Sequence, residues 1–174
     1  MTEQRRKSVR LQGFDYKGNA LYFITICCAN REKRFGEVVN EQGMPIYGSY
    51  AEERAVLGGF HIELSAAGEV CQRVLEASRL ATKQIRVGDF VIMPNHVHLV
   101  AIAEQGVGKP TPLEDFVRYL KSAITREIHK EYPGVVLWQK GYYEHVIRDD
   151  ADYERILEYI ANNPAQWASD KYFS

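Results

Sequence analysis

One stretch restricts the fold of this chain more than any other: "VIMPNHVHLV", residues 91–100. "IRVGDFVIM" leads into it and "HVHLVAIA" leads out, and both are runs of β-branched and aromatic residues typical of strands. Only Pro94-Asn95 separates the two. Strands joined by two residues have to lie antiparallel side by side, although Pro-Asn is not a usual tight-hairpin pair. Alternate residues of a strand share a face, so His96 and His98 project together while Val97 and Leu99 face the other way. Imidazoles in an apolar strand need polar partners. Two readings remain open on spacing alone: a shared divalent cation, or structural hydrogen bonding.

The rest of the chain builds around that pair of strands. "ALYFITICCA" (20–29) reads as a central strand. Residues 36–60 mix glycines and a proline with polar residues, and the segment from about 40 to 65 reads as a variable hairpin or loop insertion. Ser65 opens a helix to about Thr82, with Val70, Val74 and Ala77 on one side. Thr111-Pro112-Leu113-Glu114 has the form of a capping box with proline at the first helical position. Leu113, Phe116, Val117, Leu120 and Ile124 then mark one helical face, which ends before Pro133-Gly134. "YYEHVI" (142–147) can form another strand, and Asp149 or Asp150 caps a last helix to about Asn162. This order predicts an α+β fold: a ferredoxin-like, split βαββαβ antiparallel sheet with helices on one face and an extra C-terminal helix.

Length and charge narrow the classes. The 174 residues fit a single domain spanning 1–174, and no apolar run approaches the length of a membrane span. Three cysteines, two of them adjacent and none at metal-like spacing, suit free thiols in a reducing cytoplasm. The net charge is −1, yet residues 1–35 hold eight basic against three acidic side chains. Arg5, Arg6 and Lys7 stand in a basic arm over residues 1–12. Such an arm can lie along phosphates, or simply be solvated.

The last helix, "DYERILEYIANNP", has an apolar stripe of Tyr153, Ile156, Leu157 and Ile160. Tyr153 falls at its centre and reads as core. Tyr159 falls to one flank, with Asn163 four residues on and on the same side. A carboxamide oxygen is a reasonable ligand for a hard cation, while Asn162-Asn163-Pro164 also reads as a plain helix end. Tyr119 flanks a stripe too, but Ala123 follows it one turn later and offers no ligand.

At this point the residues resemble a family. "MPNHVHLV", "FVRYLKS" and "LWQKGYYEHVIRDDADYERILEYIANNP", with the opening "VRLQGFDYKGNALYFITICCANREKRFG", are similar in order and interval to single-tyrosine HUH transposases, REP-associated branch. The resemblance implies cleavage and rejoining of single-stranded or hairpin DNA through a covalent 5′-phosphotyrosine, with Mg²⁺ or Mn²⁺. It matches His96 and His98 to the paired histidines, Tyr159 to the nucleophile on the extra helix, and Asn163 to the third metal ligand. Related enzymes often carry glutamine at that ligand position, one methylene longer, and Asn162 competes for the role. The implied DNA is a short palindromic repeat. The branch favours a monomer slightly, with a dimer as the alternative.

Bases of single strands stack on aromatic rings above basic grooves. "WQKGYYEHVIR" offers Trp138, Lys140, Tyr143, His145 and Arg148 in one span. Tyr142 and Tyr143 point to opposite sides if the span is a strand. Lys121 offers a further phosphate contact, and Arg155, one turn before Tyr159, a charge to support DNA or a phenolate. Two rivals stand beside this reading. One is a domesticated relative that binds DNA hairpins without cutting them. The other is a histidine-triad nucleotide hydrolase, whose third histidine would fall at Val100.

Overall fold

The computed structural model describes residues 20–43, 45, 59–81, 84–104 and 112–169. The basic arm with Arg5, Arg6 and Lys7, much of the 40–65 segment, and Thr111 lie outside the described residues.

The main sheet has four strands: β1 (Ala20–Cys27), β4 (Ile85–Met93), β5 (His96–Ala103) and β6 (Tyr143–Ile147), in the spatial order β4-β5-β1-β6. All three pairings are antiparallel. Helix α1 (Ala66–Leu80) connects β1 to β4 through the small strands β2 (Gly36–Asn40) and β3 (Phe60–Leu64), which pair with each other. Helix α2 (Leu113–Ile128) connects β5 to β6. In each crossover the two joined strands are parallel with a third strand between them, which is the split arrangement expected.

Local signals explain the elements. Ser65 caps α1 by accepting a hydrogen bond from the Gly68 amide at 3.1 Å. Asp149 caps α3 (Asp150–Asn162) by accepting from the Asp152 amide at 2.8 Å. The start of α2 differs from expectation: Pro112 is itself the cap residue, its ψ of 142° extended, so the helix begins one residue later, at Leu113. A proline lacks the side-chain acceptor of a capping box but tolerates this position, where its missing N–H is not needed.

Two cores divide the sheet faces. On one face Tyr22, Ile24, Val97, Leu99 and Ala101 pack against Val70 and Leu75 of α1 and Phe116, Val117, Leu120 and Ile124 of α2. On the other face Val100 and Ile147 pack against Ile156 and Ile160 of α3. The helices therefore do not all lie on one side, because the apolar stripe of α3 finds its partners on the histidine face. Beside α3, Val38 of β2, Met93 and Trp167 of the 3-10 turn Pro164–Ser169 form a third cluster. Tyr153 is also not core as expected. It is half-buried beside the α3 cluster, and its hydroxyl donates to Asp89 at 3.2 Å. Burial pushes its pKa up, and the Asp89 charge adds to this. Asp89 reaches it because the β4–β5 register slips between Val87 and Phe90, inserting an extra residue there. No helix among the described residues is long and apolar enough to cross a membrane.

Candidate active site

The turn that carries the histidines is built unusually. Met93 pairs with His96 across Pro94-Asn95, and neither turn residue has a positive φ. The mirror-image turns preferred by tight hairpins need positive φ, which proline cannot adopt. Tertiary hydrogen bonds hold the turn instead. The Cys28 amide donates to the Asn95 carbonyl at 2.8 Å and the Phe35 amide to the Pro94 carbonyl at 2.9 Å. The Asn95 side chain donates from Nδ2 to the Arg31 carbonyl at 3.1 Å.

Both imidazoles are fully buried, at 0% and 1% exposure. Their Nε2 atoms approach each other to 2.9 Å. Each Nδ1 has its own partner: Asn95 Oδ1 at 2.8 Å for His96, and Thr25 Oγ1 at 2.8 Å for His98. Thr25 sits directly across from His98 in the β1–β5 register. Outer partners of this kind orient metal-binding histidines. They also satisfy part of the bland reading, in which the rings are held by hydrogen bonds alone.

Helix α3 brings Tyr159 to the same place. Its hydroxyl lies 3.3 Å from His98 Nε2, and its ring meets His98 and Phe23 edge-on. Eight residues on, the Trp167 ring stands 6.1 Å from that of His96. Asn163 lies midway along the chain between these two contacts. It is completely buried, and neither Oδ1 nor Nδ2 has a hydrogen-bond partner. Its backbone, not its side chain, makes the helix-end bonds, from its amide to Ile160 and from Gln166 to its carbonyl. The plain helix-end reading thus leaves the side chain unexplained. Asn162, the competing candidate, is exposed.

No group of three His, Cys, Asp or Glu side chains suited to a metal occurs among the described residues. Two imidazoles and a carboxamide are nevertheless a workable donor set for a divalent cation, and the orphaned Asn163 amide fits that purpose. The thiols offer no rival nucleophile: all three are buried, and burial pushes Cys28 up to about 12 and Cys71 well above the usual thiol range.

The other candidates scatter. Tyr143 and His145 lie on the histidine face, paired across β1 with Thr25 and Phe23. Tyr143 is exposed, while Tyr142 packs against the helix-side core, so the two do point apart. Trp138 and Lys121 belong to the helix side. Trp138 Nε1 donates to the Lys121 carbonyl at 3.1 Å, and Lys121 Nζ donates to the Gln139 and Gly141 carbonyls at 2.7 and 3.1 Å. Lys121 thereby ties a loop to α2, and burial lowers its pKa. Both line a groove of about 690 Å³ on the outside of α2, away from the histidines. Lys140 and Arg148 are exposed.

Arg155 does not turn toward Tyr159. Its guanidinium donates to Asp152 Oδ1 at 2.9 Å, while His145 Nε2 meets Asp152 Oδ2 at 2.8 Å. The His145 hydrogen bond comes first among the causes that hold the Asp152 carboxyl below the usual range. A depressed carboxyl pKa stabilises the fold above the unfolded value, about 3.9, and that contribution fades as pH falls through the folded value. Asp152→Asn is therefore expected to lower stability at pH 7 by about 1 kcal/mol. Urea titrations should show the gap to wild type closing below about pH 4.

Sequence reasoning did not single out Thr25, Asn95, Phe23 or Trp167. Thr25, Phe23 and Trp167 act through contacts between distant positions. Asn95 holds its neighbour His96 only because its own amide is fixed by the distant Arg31 carbonyl, and residue periodicity reveals none of this.

The chain is similar in sequence and in fold to known proteins. Residues 65–163 match the family model described as "Transposase IS200 like". An uncharacterized protein of Haemophilus influenzae is 33% identical over 97% of this chain and 93% of its own length. The "REP-associated tyrosine transposase" of Escherichia coli K12 is 27% identical over 48% of this chain, and the match spans 47% of that protein. A solved structure, "Structure of the REP associates tyrosine transposase bound to a REP hairpin", is similar in fold. Its TM-score is 0.54 at 18% identity, covering 95% of this chain and 74% of that one.

Proposed function

Because the chain belongs to the family of IS200-like transposases, we propose that it cuts and rejoins single-stranded DNA through Tyr159, with His96, His98 and Asn163 holding a divalent cation. The observation that carries this reading is the approach of the Tyr159 hydroxyl to 3.3 Å from His98 Nε2, where the two histidines converge. Its substrate is a DNA hairpin from palindromic repeats, by extension from the E. coli relative's name and the hairpin-bound structure.

The chemistry follows from the groups present. Tyr159 Oη forms a bond to phosphorus and the bond to the 3′ oxygen breaks, leaving a 5′-phosphotyrosine. The phenolic proton passes to water, and the departing oxygen takes one from water to become a 3′-hydroxyl. Mg²⁺ or Mn²⁺ at His96, His98 and Asn163 would draw charge from the phosphate oxygens. A free tyrosine, pKa about 10, is only about 0.1% phenolate at pH 7, a deficit of about 4 kcal/mol. Part of this would be offset by stabilisation of the phenolate beside a cation held by His96, His98 and Asn163. The covalent link retains the ester, so a second 3′-hydroxyl can attack it and rejoin strands without ATP.

The test uses 5′- and 3′-labelled hairpin DNA incubated with the protein and Mg²⁺ or Mn²⁺, then resolved on a denaturing protein gel. A labelled protein band that a chelator abolishes and His96→Ala lacks is the expected result. DNA that is shifted but never cut, with every divalent ion, would establish instead a hairpin-binding protein without nuclease activity.

A further inference from the structure

The two histidines are held by partners of different kinds. Asn95 Nδ2 faces the Arg31 carbonyl, which can only accept, so the amide orientation is fixed and Oδ1 faces His96. Oδ1 in turn can only accept, so His96 Nδ1 carries a proton and, in the neutral ring, Nε2 presents a lone pair. The 2.9 Å contact between the Nε2 atoms then requires His98 Nε2 to supply the hydrogen. His98 Nδ1 is left as an acceptor, and Thr25 Oγ1 must donate to it. A hydroxyl rotates and serves equally well as donor or acceptor. Asn95 therefore fixes one tautomer, whereas Thr25 supports either.

We propose that Thr25 is a positioning residue that lets His98 change tautomer. With Nε2 protonated, Thr25 donates to Nδ1 and the metal-free pair is satisfied internally. Were Nε2 to turn to a cation, its proton would pass to solvent, Nδ1 would take one from solvent, and Thr25 would rotate to accept. The proton count is unchanged. Without such a partner, a buried imidazole with a bare or protonated Nδ1 would lose its hydrogen bond in one of the two states. Thr25 is itself buried, at 4% exposure, so water does not readily replace it.

This inference rests on the proposed metal site, and the experiment separates the two. Nitrogen-15 NMR of the histidine side chains in the metal-free protein reads the tautomers directly. His96 is expected as the Nδ1–H form and His98 as the Nε2–H form. Mn²⁺ binding is then measured by titration calorimetry on wild type, Thr25→Val and Thr25→Ser. Valine keeps the shape and removes the hydroxyl, and it is expected to weaken Mn²⁺ binding about 10- to 100-fold. Serine is expected to restore binding to within about threefold. Unchanged binding by Thr25→Val, or a His98 spectrum showing Nδ1–H in the metal-free protein, overturns the role of Thr25. Should wild type itself bind no divalent ion, the metal reading and the cation-linked change of tautomer both fall.

Discussion

Replacing Asn163 by leucine is expected to make the protein more stable and to abolish the proposed metal-dependent cleavage. The two effects share one cause. Asn163 is wholly buried and both polar atoms of its amide are unpartnered. A buried polar group without a partner costs about 1–3 kcal/mol. Leucine has a similar shape and no such need, so the variant should gain that amount, seen as a rise of roughly 3–10 °C in melting temperature by scanning fluorimetry. Loss of the amide oxygen would remove a cation ligand. With cation stabilisation of the phosphate worth several kcal/mol, cleavage should fall at least about 100-fold. A less stable variant would mean that Asn163 is already satisfied within the fold, which would count against its role as a ligand.

The second large effect concerns Tyr159. Phenylalanine there preserves the edge-on contacts with His98 and Phe23 and removes one long hydrogen bond. Stability should change by no more than about 1 kcal/mol. The covalent DNA adduct should fall at least about 1,000-fold, because the attacking oxygen is gone. Tyr119→Phe is the control. That residue is on α2, half exposed beside Val74 and Ala123 in the groove between α1 and α2. It is separated from the histidines by the sheet. An adduct that survives Tyr159→Phe would refute the assignment of the nucleophile.

What could be read from residue order alone follows a physical divide. The caps at Ser65 and Asp149, the α2 stripe and the shared face of His96 and His98 are local properties with a period of 2 or 3.6 residues. The structure reproduces each of them. Readings that needed a third dimension fared differently. Tyr153 sits in mid-stripe, but a register slip in β4 brings Asp89 to its hydroxyl and keeps it near the surface. The α3 stripe was legible by period, whereas the face it covers followed only from the resemblance that groups Tyr159 and Asn163 with the two histidines, since either side of the sheet offered apolar partners. Thr25 gave no signal because it meets His98 across 73 residues. In the span from Trp138 to Arg148, strand alternation already set Tyr142 and Tyr143 apart, whereas the contacts that place Trp138 and Lys121 on the helix side join positions 17 to 20 residues apart and gave no signal.

The Pro94-Asn95 turn carries a further consequence. Hairpin tips usually project into solvent, and they are where extra residues or a peptide tag are best tolerated. This tip points inward. Its two carbonyls and one side chain are bonded to Cys28, Phe35 and Arg31, and Asn95 is 1% exposed. A single inserted residue would break those bonds, although the pairing of β5 with β1 and β4 holds the strand's own register. The shortest connection in the main sheet is thus a poor place for an insertion, because the bonds that hold the turn also hold the strand end that carries both imidazoles.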